Sequence, residues 1–292
     1  MNGIGMIGMG TMGLPMAGHL AKSLAGSDSW MMVWSRTPGK GDSLQEHGVT
    51  LAVSIEELAN CGVIVLCISR DEDVRAVLAS LLPVVQSGTL FIDHSTTSPG
   101  AAMEFHQTCQ LHGCAFLDAP ITGGSMGAQA GTLTIFCGGT EESYARALPV
   151  MTPYAKRTAH VGGAGAGQMM KMANQIAVGG ALIGLCESLA FAEKAGLDLA
   201  LTRELLSGGA AGSWAFENYG PKILNRDWTP GFRVDHQRKD FGYCLEAADQ
   251  LGIAIPATAL TDELLSALDR AGRSGDTTAA LFDVLSGRVP LE

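Results

Sequence analysis

The segment Gly3-Ile-Gly-Met-Ile-Gly8-Met-Gly10-Thr-Met-Gly13-Leu-Pro15 decides the fold. Its first five residues form a short apolar run of the kind that makes a buried strand. A glycine-rich turn follows, and a helical stretch then runs over residues 11–24, with Pro15 in its first turn where a missing N–H costs nothing. Gly8, Gly10 and Gly13 carry the pattern GxGxxG in the context it needs, after a strand and at the opening of a helix. The first glycine permits the tight turn, the second lets the backbone approach a pyrophosphate, and the third lets helix and strand pack closely. The helix start adds free N–H groups and partial positive charge. Gly8, Met9, Gly10, Thr11, Met12 and Gly13 are therefore candidate contacts to a dinucleotide.

The second apolar run ends Val33-Trp34-Ser35-Arg36-Thr37. A strand that binds NAD usually ends in an acid that takes the ribose hydroxyls. Here Ser35 stands in that place and Arg36 follows. A carboxylate repels a 2′-phosphate, whereas a guanidinium binds it and stacks on adenine. Ser35, Arg36 and Thr37 thus favour NADP, with NAD as the alternative cofactor.

Outward from this start, apolar runs at 3–7, 30–34, 63–68 and 90–93 alternate with helical stretches at 11–24, 71–81 and 99–112. Alternation of this kind means a parallel sheet with helices on both faces, a doubly wound Rossmann-type α/β domain. Two more strands, at 115–118 and 132–137, extend it to about residue 160. Residues 167–194 then read as one long helix, whose second half has Glu187 as its only charge before Glu193. A helix apolar on every side is expected to be buried on every side. Gly179, Gly180 and Gly184 offer close approach to other helices. No convincing strand follows, so a dinucleotide-binding domain over 1–163 and an all-helical domain over 164–292 are expected. A homodimer or homotetramer is expected to cover the long helix.

Composition narrows the function. Of 292 residues 47% are hydrophobic and 16% charged, and the net charge of −10 comes without a basic block, which argues against a nucleic-acid or anionic-membrane surface. The longest apolar run, 176–186, is short for a bilayer span. No leader pattern precedes the first strand, so the cytoplasm is the expected location. The seven cysteines form no CxxC and the seven histidines no ligand spacing, so buried free thiols and no metal are expected.

Five separated motifs, in order, resemble the beta-hydroxyacid dehydrogenase family across essentially the whole chain. They are the glycine loop running on to Leu14-Pro15-Met-Ala; Asp93-His-Ser95-Thr96-Thr-Ser-Pro99; Asp118-Ala-Pro-Ile-Thr122-Gly123-Gly124-Ser-Met-Gly127 with Gly131-Thr-Leu after it; Gly165-Ala-Gly167-Gln-Met-Met-Lys171-Met-Ala-Asn174-Gln175; and Lys239-Asp240 after Gly231-Phe232. The family's third motif usually has serine where Thr122 stands, which keeps the hydroxyl and adds a methyl. The resemblance implies hydride transfer between NADP(H) and a small 3-hydroxy acid or its semialdehyde, of the tartronate, methylmalonate or succinic semialdehyde or glyoxylate type.

Such a reaction makes an alkoxide that must be protonated. The resemblance makes Lys171 the catalytic residue, and a lysine serves as acid and base once desolvation or a neighbouring cation brings its pKa down. Asn174 and Gln175, three and four residues on, share its helix face. An amide there orients the lysine and holds a substrate oxygen. Thr122, Gly123 and Gly124, in a glycine-rich loop after a strand, offer a hydroxyl and N–H groups to a carboxylate. Ser95 and Thr96 follow a strand at the carboxyl edge of the sheet, where ligands of such sheets bind. The resemblance puts Thr96 near the nicotinamide and Lys239 among the cofactor contacts, with Asp240 as its companion. Phe232 suits either a pocket wall or a core position. His19, His94 and His236 read as packing or surface residues. An imine reductase shares the plan but generally lacks the lysine. A non-catalytic NADP-binding relative would not need the set of lysine, amide and anion loop.

Overall fold

The computed structural model describes residues 3–291. It divides into two compact units, Met1–Lys171 and Met172–Glu292. The strands of the first are β1 (Gly3–Ile7), β2 (Trp30–Trp34), β3 (Thr50–Leu51), β4 (Val63–Leu66), β5 (Leu90–Asp93), β6 (Ala115–Asp118), β7 (Ile121–Thr122), β8 (Leu133–Gly138) and β9 (Ala155–Gly162). Its helices are α1 (Gly13–Leu24), α2 (Asp71–Leu81), α3 (Pro99–Leu111), α4 (Gly124–Ala130) and α5 (Glu141–Met151). A long helix, α6 (Ala166–Lys194), begins here and continues into the second unit.

The strands form one sheet in the order β3-β2-β1-β4-β5-β6-β8-β7, with β9 on β8. From β3 to β6 every pairing is parallel. Every residue of β1, β4 and β5 is buried, as in a sheet covered on both faces. Alternate residues feed two cores. Ile4, Met6, Val63 and Val65 pack with Met16 and Leu20 of α1. Ile7, Ile64, Leu66 and Phe91 pack with Val74 and Leu78 of α2 and Phe105 of α3. The strand order reverses at β1, where the glycine loop leaves the sheet, and such a reversal is where ligands of these sheets bind.

The doubly wound plan is present, with three differences from the sequence expectation. The sheet is not wholly parallel, because β8 runs antiparallel to β6 and β7. β6 and the two-residue β7 run in one direction along β8, and the chain reverses after β7, through α4, which no periodic signal marks. The helix after the glycine loop starts at Gly13 rather than Thr11. Gly8 has φ +101°, and a Cβ on Gly13 would lie 1.9 Å from the Gly8 carbonyl oxygen, so residues between them stay in the turn. The strand at 63 ends at Leu66, two residues early.

The second unit continues α6 and adds α7 (Leu199–Ser207), α8 (Trp214–Asn218), α9 (Gly220–Leu224), α10 (Val234–Leu251), α11 (Pro256–Arg270) and α12 (Leu281–Leu285). It has no strand among the described residues. Its core gathers Leu182, Leu185, Cys186 and Leu189 of α6 with Phe216, Phe241, Leu265 and Phe282. Each such fully buried side chain contributes about 1.5–3 kcal/mol. By length and composition alone α6 is long and apolar enough to cross a bilayer, longer than the run 176–186 suggested; half of its apolar window is buried inside the protein.

Burial of α6 on every side does not hold within one chain. Ala173, Ala177, Gly180, Gly184 and Phe191 lie along one exposed stripe, Phe191 74% exposed. One face of α6 meets the helices of its unit and this stripe does not. Of the three glycines, Gly179 is the one used for close approach: a Cβ there would come 2.7 Å from the Phe241 ring of α10. Gly180 and Gly184 meet nothing within 4 Å.

Two helical glycines should therefore respond oppositely to alanine. Removing a helix-interior glycine stabilises by about 1 kcal/mol, whereas overpacking costs about 1–3 kcal/mol. Exposed Gly242 of α10 has open space around its Cβ position, so Gly242→Ala should raise the melting temperature. Gly179→Ala should lower it. Equal shifts in thermal melts would show that the Phe241 contact does not limit this position.

Candidate active site

The glycine loop has a closed side and an open side. A Cβ on Gly8 would sit 2.2 Å from the Cys67 carbonyl oxygen, while a Cβ on Gly10 would meet nothing within 4 Å. Gly8 and Gly13 thus close the turn against β4 and itself, and exposed Gly10 and Thr11 face outward. That is the cradle a pyrophosphate needs, with the first N–H groups of α1 beside it. The loop also abuts the end of β2, where Gly8 N donates to Trp34 O at 3.0 Å. Beyond it lie half-buried Ser35 and exposed Arg36 and Thr37. The Arg36 guanidinium reaches to 3.5 Å from the Asp73 carboxylate in the first turn of α2.

At the end of β5 the chain turns on its own side chains. Ser95 N donates to Asp93 Oδ1 (2.9 Å), and Ser95 Oγ accepts from Ile68 N (3.0 Å). Ser95 is buried and its hydroxyl ties two strand ends, while Thr96 beside it is half-buried. Burial pushes the Asp93 carboxyl up to about 7, with the charges of Asp118 and Asp71 adding to it. His94 sits inside, Nδ1 2.6 Å from Ala119 O and Nε2 2.9 Å from the Tyr154 hydroxyl. Burial holds its pKa down to about 4. The neutral ring therefore donates to Ala119 and accepts from Tyr154. Burial, then the charge of Asp93, pushes the Cys67 thiol up to about 12, and all seven cysteines are free.

Asp118 ends β6 and is fully buried. Its Oδ1 accepts from Gly165 N and from His106 Nε2, both at 2.9 Å, and its Oδ2 accepts from Gln168 N at 3.0 Å. It thereby satisfies two N–H groups at the start of α6, where negative charge is favourable. Gly167 is required here, since a Cβ would fall 2.5 Å from the Asp118 carbonyl oxygen. Lys171 lies one turn further on, 7% exposed, and its Nζ donates to Ile121 O at 2.9 Å. Being the sixth residue of α6 rather than in its first turn, it is not set against the unsatisfied N–H groups of the helix end. Ile121 precedes Thr122, and Gly123 and Gly124 follow with φ +127° and +63°. The ammonium is thus joined by hydrogen bond to the glycine-rich turn that the sequence singles out as an anion loop.

In the second unit Asn174 Nδ2 donates to Gln175 Oε1 (2.9 Å), and Gln175 Nε2 donates to Asp240 Oδ2 (2.7 Å). Asp240 Oδ1 lies 3.1 Å from Lys239 Nζ. Gln175, read as a substrate contact, is 2% exposed, and its amide is engaged at both ends as a link from Asn174 to Asp240. Asn174 is half-buried. Phe232 is half-buried, its ring 6.4 Å from that of His236. Asp118 and Gln168 stand inside the quoted motifs, but nothing in their spacing assigns them these contacts. His106, 12 residues before its partner Asp118, carries no sequence signal at all.

Comparison with known proteins covers nearly the whole length. Residues 3–163 match the family model of the NAD binding domain of 6-phosphogluconate dehydrogenase. Residues 165–285 match the model described as NAD-binding of NADP-dependent 3-hydroxyisobutyrate dehydrogenase. The chain is 38% identical over 284 residues to "Probable 3-hydroxyisobutyrate dehydrogenase-like 1, mitochondrial" of Arabidopsis thaliana, covering 96% of this chain and 84% of that protein. Among solved structures, the 3-hydroxyisobutyrate dehydrogenase of Mycobacterium tuberculosis with L-serine aligns with TM-score 0.86 and 30% identity over 98% of this chain and 99% of that one. The 3-hydroxyisobutyrate dehydrogenase of Salmonella typhimurium aligns with TM-score 0.89 and 25% identity over 97% and 100%.

The raised pKa of Asp93 makes a prediction about stability. Between an unfolded value of about 4 and the folded value of about 7, the folded chain binds the extra proton, so this group's contribution falls as pH rises through that window. Asp93→Asn keeps an acceptor for Ser95 N and removes the titration. Melting temperatures from pH 4 to 7.5 should decline less in the variant than in the parent. Parallel profiles would show that Asp93 is ionised throughout.

Proposed function

The chain belongs to the beta-hydroxyacid dehydrogenase family and is an NAD(P)-dependent oxidoreductase of the 3-hydroxyisobutyrate dehydrogenase type, and on that footing we propose that it interconverts a small 3-hydroxy acid and its semialdehyde with NADP(H), using Lys171 for the proton. The observation that carries the reading is the buried Lys171 ammonium held on Ile121 O, next to Thr122, Gly123 and Gly124.

Gly8, Met9, Gly10, Thr11, Met12 and Gly13 would hold the pyrophosphate, and Thr96 lies at the strand end that would meet the nicotinamide. When bound, the nicotinamide supplies or accepts the hydride. The remaining work falls to side chains. Thr122 and the two glycine N–H groups bind the substrate carboxylate and so fix the distance from that group to the reacting carbon. Lys171 Nζ gives a proton to the oxygen that becomes the hydroxyl and takes it back in the reverse direction. Ile121 O accepts one ammonium proton and so fixes the direction of the Lys171 head group beside Thr122. Asn174, proposed to hold a substrate oxygen, is itself held by Gln175.

For the cofactor, Arg36 is the proposed partner of the 2′-phosphate. Its exposed ion pair with Asp73 is of a kind worth about 0–1 kcal/mol, less than a charge-assisted bond to phosphate. Arg36 should therefore leave Asp73 for the phosphate. Arg36→Ala should weaken NADPH binding about tenfold more than NADH binding, as read by fluorescence titration. Equal losses for both cofactors would remove Arg36 from this role.

The test of the whole reading is Lys171→Ala. Proton transfer typically contributes about 10²–10⁴-fold, so turnover of NADPH with a panel of semialdehydes should fall by about 100-fold or more. Folding and NADPH affinity should stay near normal. Lys171→Arg should not rescue, because guanidinium keeps the charge but does not release its proton at useful pH. Recovery of most activity by arginine would make position 171 an electrostatic anchor and would refute its proton-transfer role.

A further inference from the structure

Gln168 is fully buried and has no part in the chemistry described above. Its amide is used at both ends: Nε2 donates to Ser95 O (2.8 Å), and Oε1 accepts from Thr97 N (3.2 Å). One side chain thus satisfies a carbonyl and an N–H on either side of Thr96. Its own N–H donates to Asp118 Oδ2, which fixes the backbone it hangs from. Three residues on, along the same helix face, comes Lys171.

We propose that Gln168 is a positioning residue, a clasp that holds the segment 95–97 against the start of α6 so that Thr96 and Lys171 keep one separation. The inference rests on Lys171 as the proton donor and acceptor. Two features favour a clasp over a space-filler. First, β5 has ended at Asp93, so Ser95 O and Thr97 N have left the ladder; a same-sized apolar side chain would leave both buried groups unpaired. Second, the amide fits in one orientation alone, because reversal would set NH₂ against N–H and oxygen against oxygen. His94 adds a second tie from the same segment to Ala119. Residues 94–97, the end of β6 and the start of α6 thereby form a closed hydrogen-bonded circuit. Rigidity matters because hydride and proton must reach neighbouring atoms of one substrate, and a misplacement of about 1 Å costs about 100-fold.

The test compares Gln168→Met and Gln168→Glu with the parent and with Lys171→Ala. Methionine keeps the volume and loses both bonds. Glutamate keeps the acceptor for Thr97 N but sets an oxygen against Ser95 O. The measurements are NADPH affinity by fluorescence titration, kcat and KM on a semialdehyde that the parent reduces, and the primary isotope effect with 4-deuterated NADPH. For either folded variant, NADPH affinity and KM should stay within about threefold while kcat per NADPH-binding site falls by about tenfold or more. The isotope effect on kcat should rise as hydride transfer becomes slower than product release. A structural role alone would lower the melting temperature and leave kcat per site and isotope effect at parental values, which overturns the proposal. If Lys171→Ala is inactive while both Gln168 variants keep parental kcat, the clasp fails and the lysine reading stands. If Lys171→Ala is fully active, the lysine reading fails and takes the clasp with it.

Discussion

The buried carboxylate of Asp118 is the constraint on which the rest of the candidate site depends. It stands at the carboxyl end of β6 and accepts from Gly165 N, Gln168 N and the His106 imidazole. A carboxylate this deep is tolerated because its lone pairs are met and because it faces the positive end of a helix. Breaking such a buried pairing costs about 3–5 kcal/mol. Space for it is cleared by two glycines: a Cβ on Gly138 would come 2.6 Å from the carboxylate, and one on Gly167 within 2.7 Å. The start of α6 is therefore locked to the sheet edge rather than docked beside it.

From that lock the geometry follows in short steps. The first turn of α6 carries Gln168 into the segment after β5. The next turn carries Lys171 onto the carbonyl of Ile121, just before the turn at Thr122. Two loops that share no ladder bonds with each other are thus referred to one helix. The glycine loop is built on a different principle: Gly8 and Gly13 are forced by backbone contact, while the open side of Gly10 leaves room for a ligand. One part is held by side-chain polarity and the other by the absence of side chains.

The second unit shows how little a run of apolar residues says about packing. Leu182, Leu185, Cys186 and Leu189 form the core side of α6, and Gly179 admits the Phe241 ring. The exposed stripe from Ala173 to Phe191 is equally free of charge apart from Glu187. Polar residues in the same unit carry their own order, in the chain from Asn174 through Gln175 and Asp240 to Lys239. Gln175, named by its motif, is buried with its amide bonded at both ends.

The sequence by itself determined the doubly wound sheet, the long helix, the helical second unit and the glycine loop. Each of these is a local matter, since strand and helix periods, glycine spacing and the residues after a strand are all written within some fifteen positions. It also singled out Lys171 and the turn at Thr122, through two separate motifs. The tertiary structure alone decided what holds them. The antiparallel return of β8 depends on pairing Ile121 and Thr122 with Ile135 and Thr134. Asp118 finds Gly165 and Gln168 across 47 and 50 residues, and Gln168 finds Ser95 across 73. Which face of α6 is covered is likewise settled by the helices packed on one side of it. Hydrogen bonds between distant segments leave no period in the chain, because each requires only one suitable side chain at one place, and that place exists only once the sheet has brought its strand ends together.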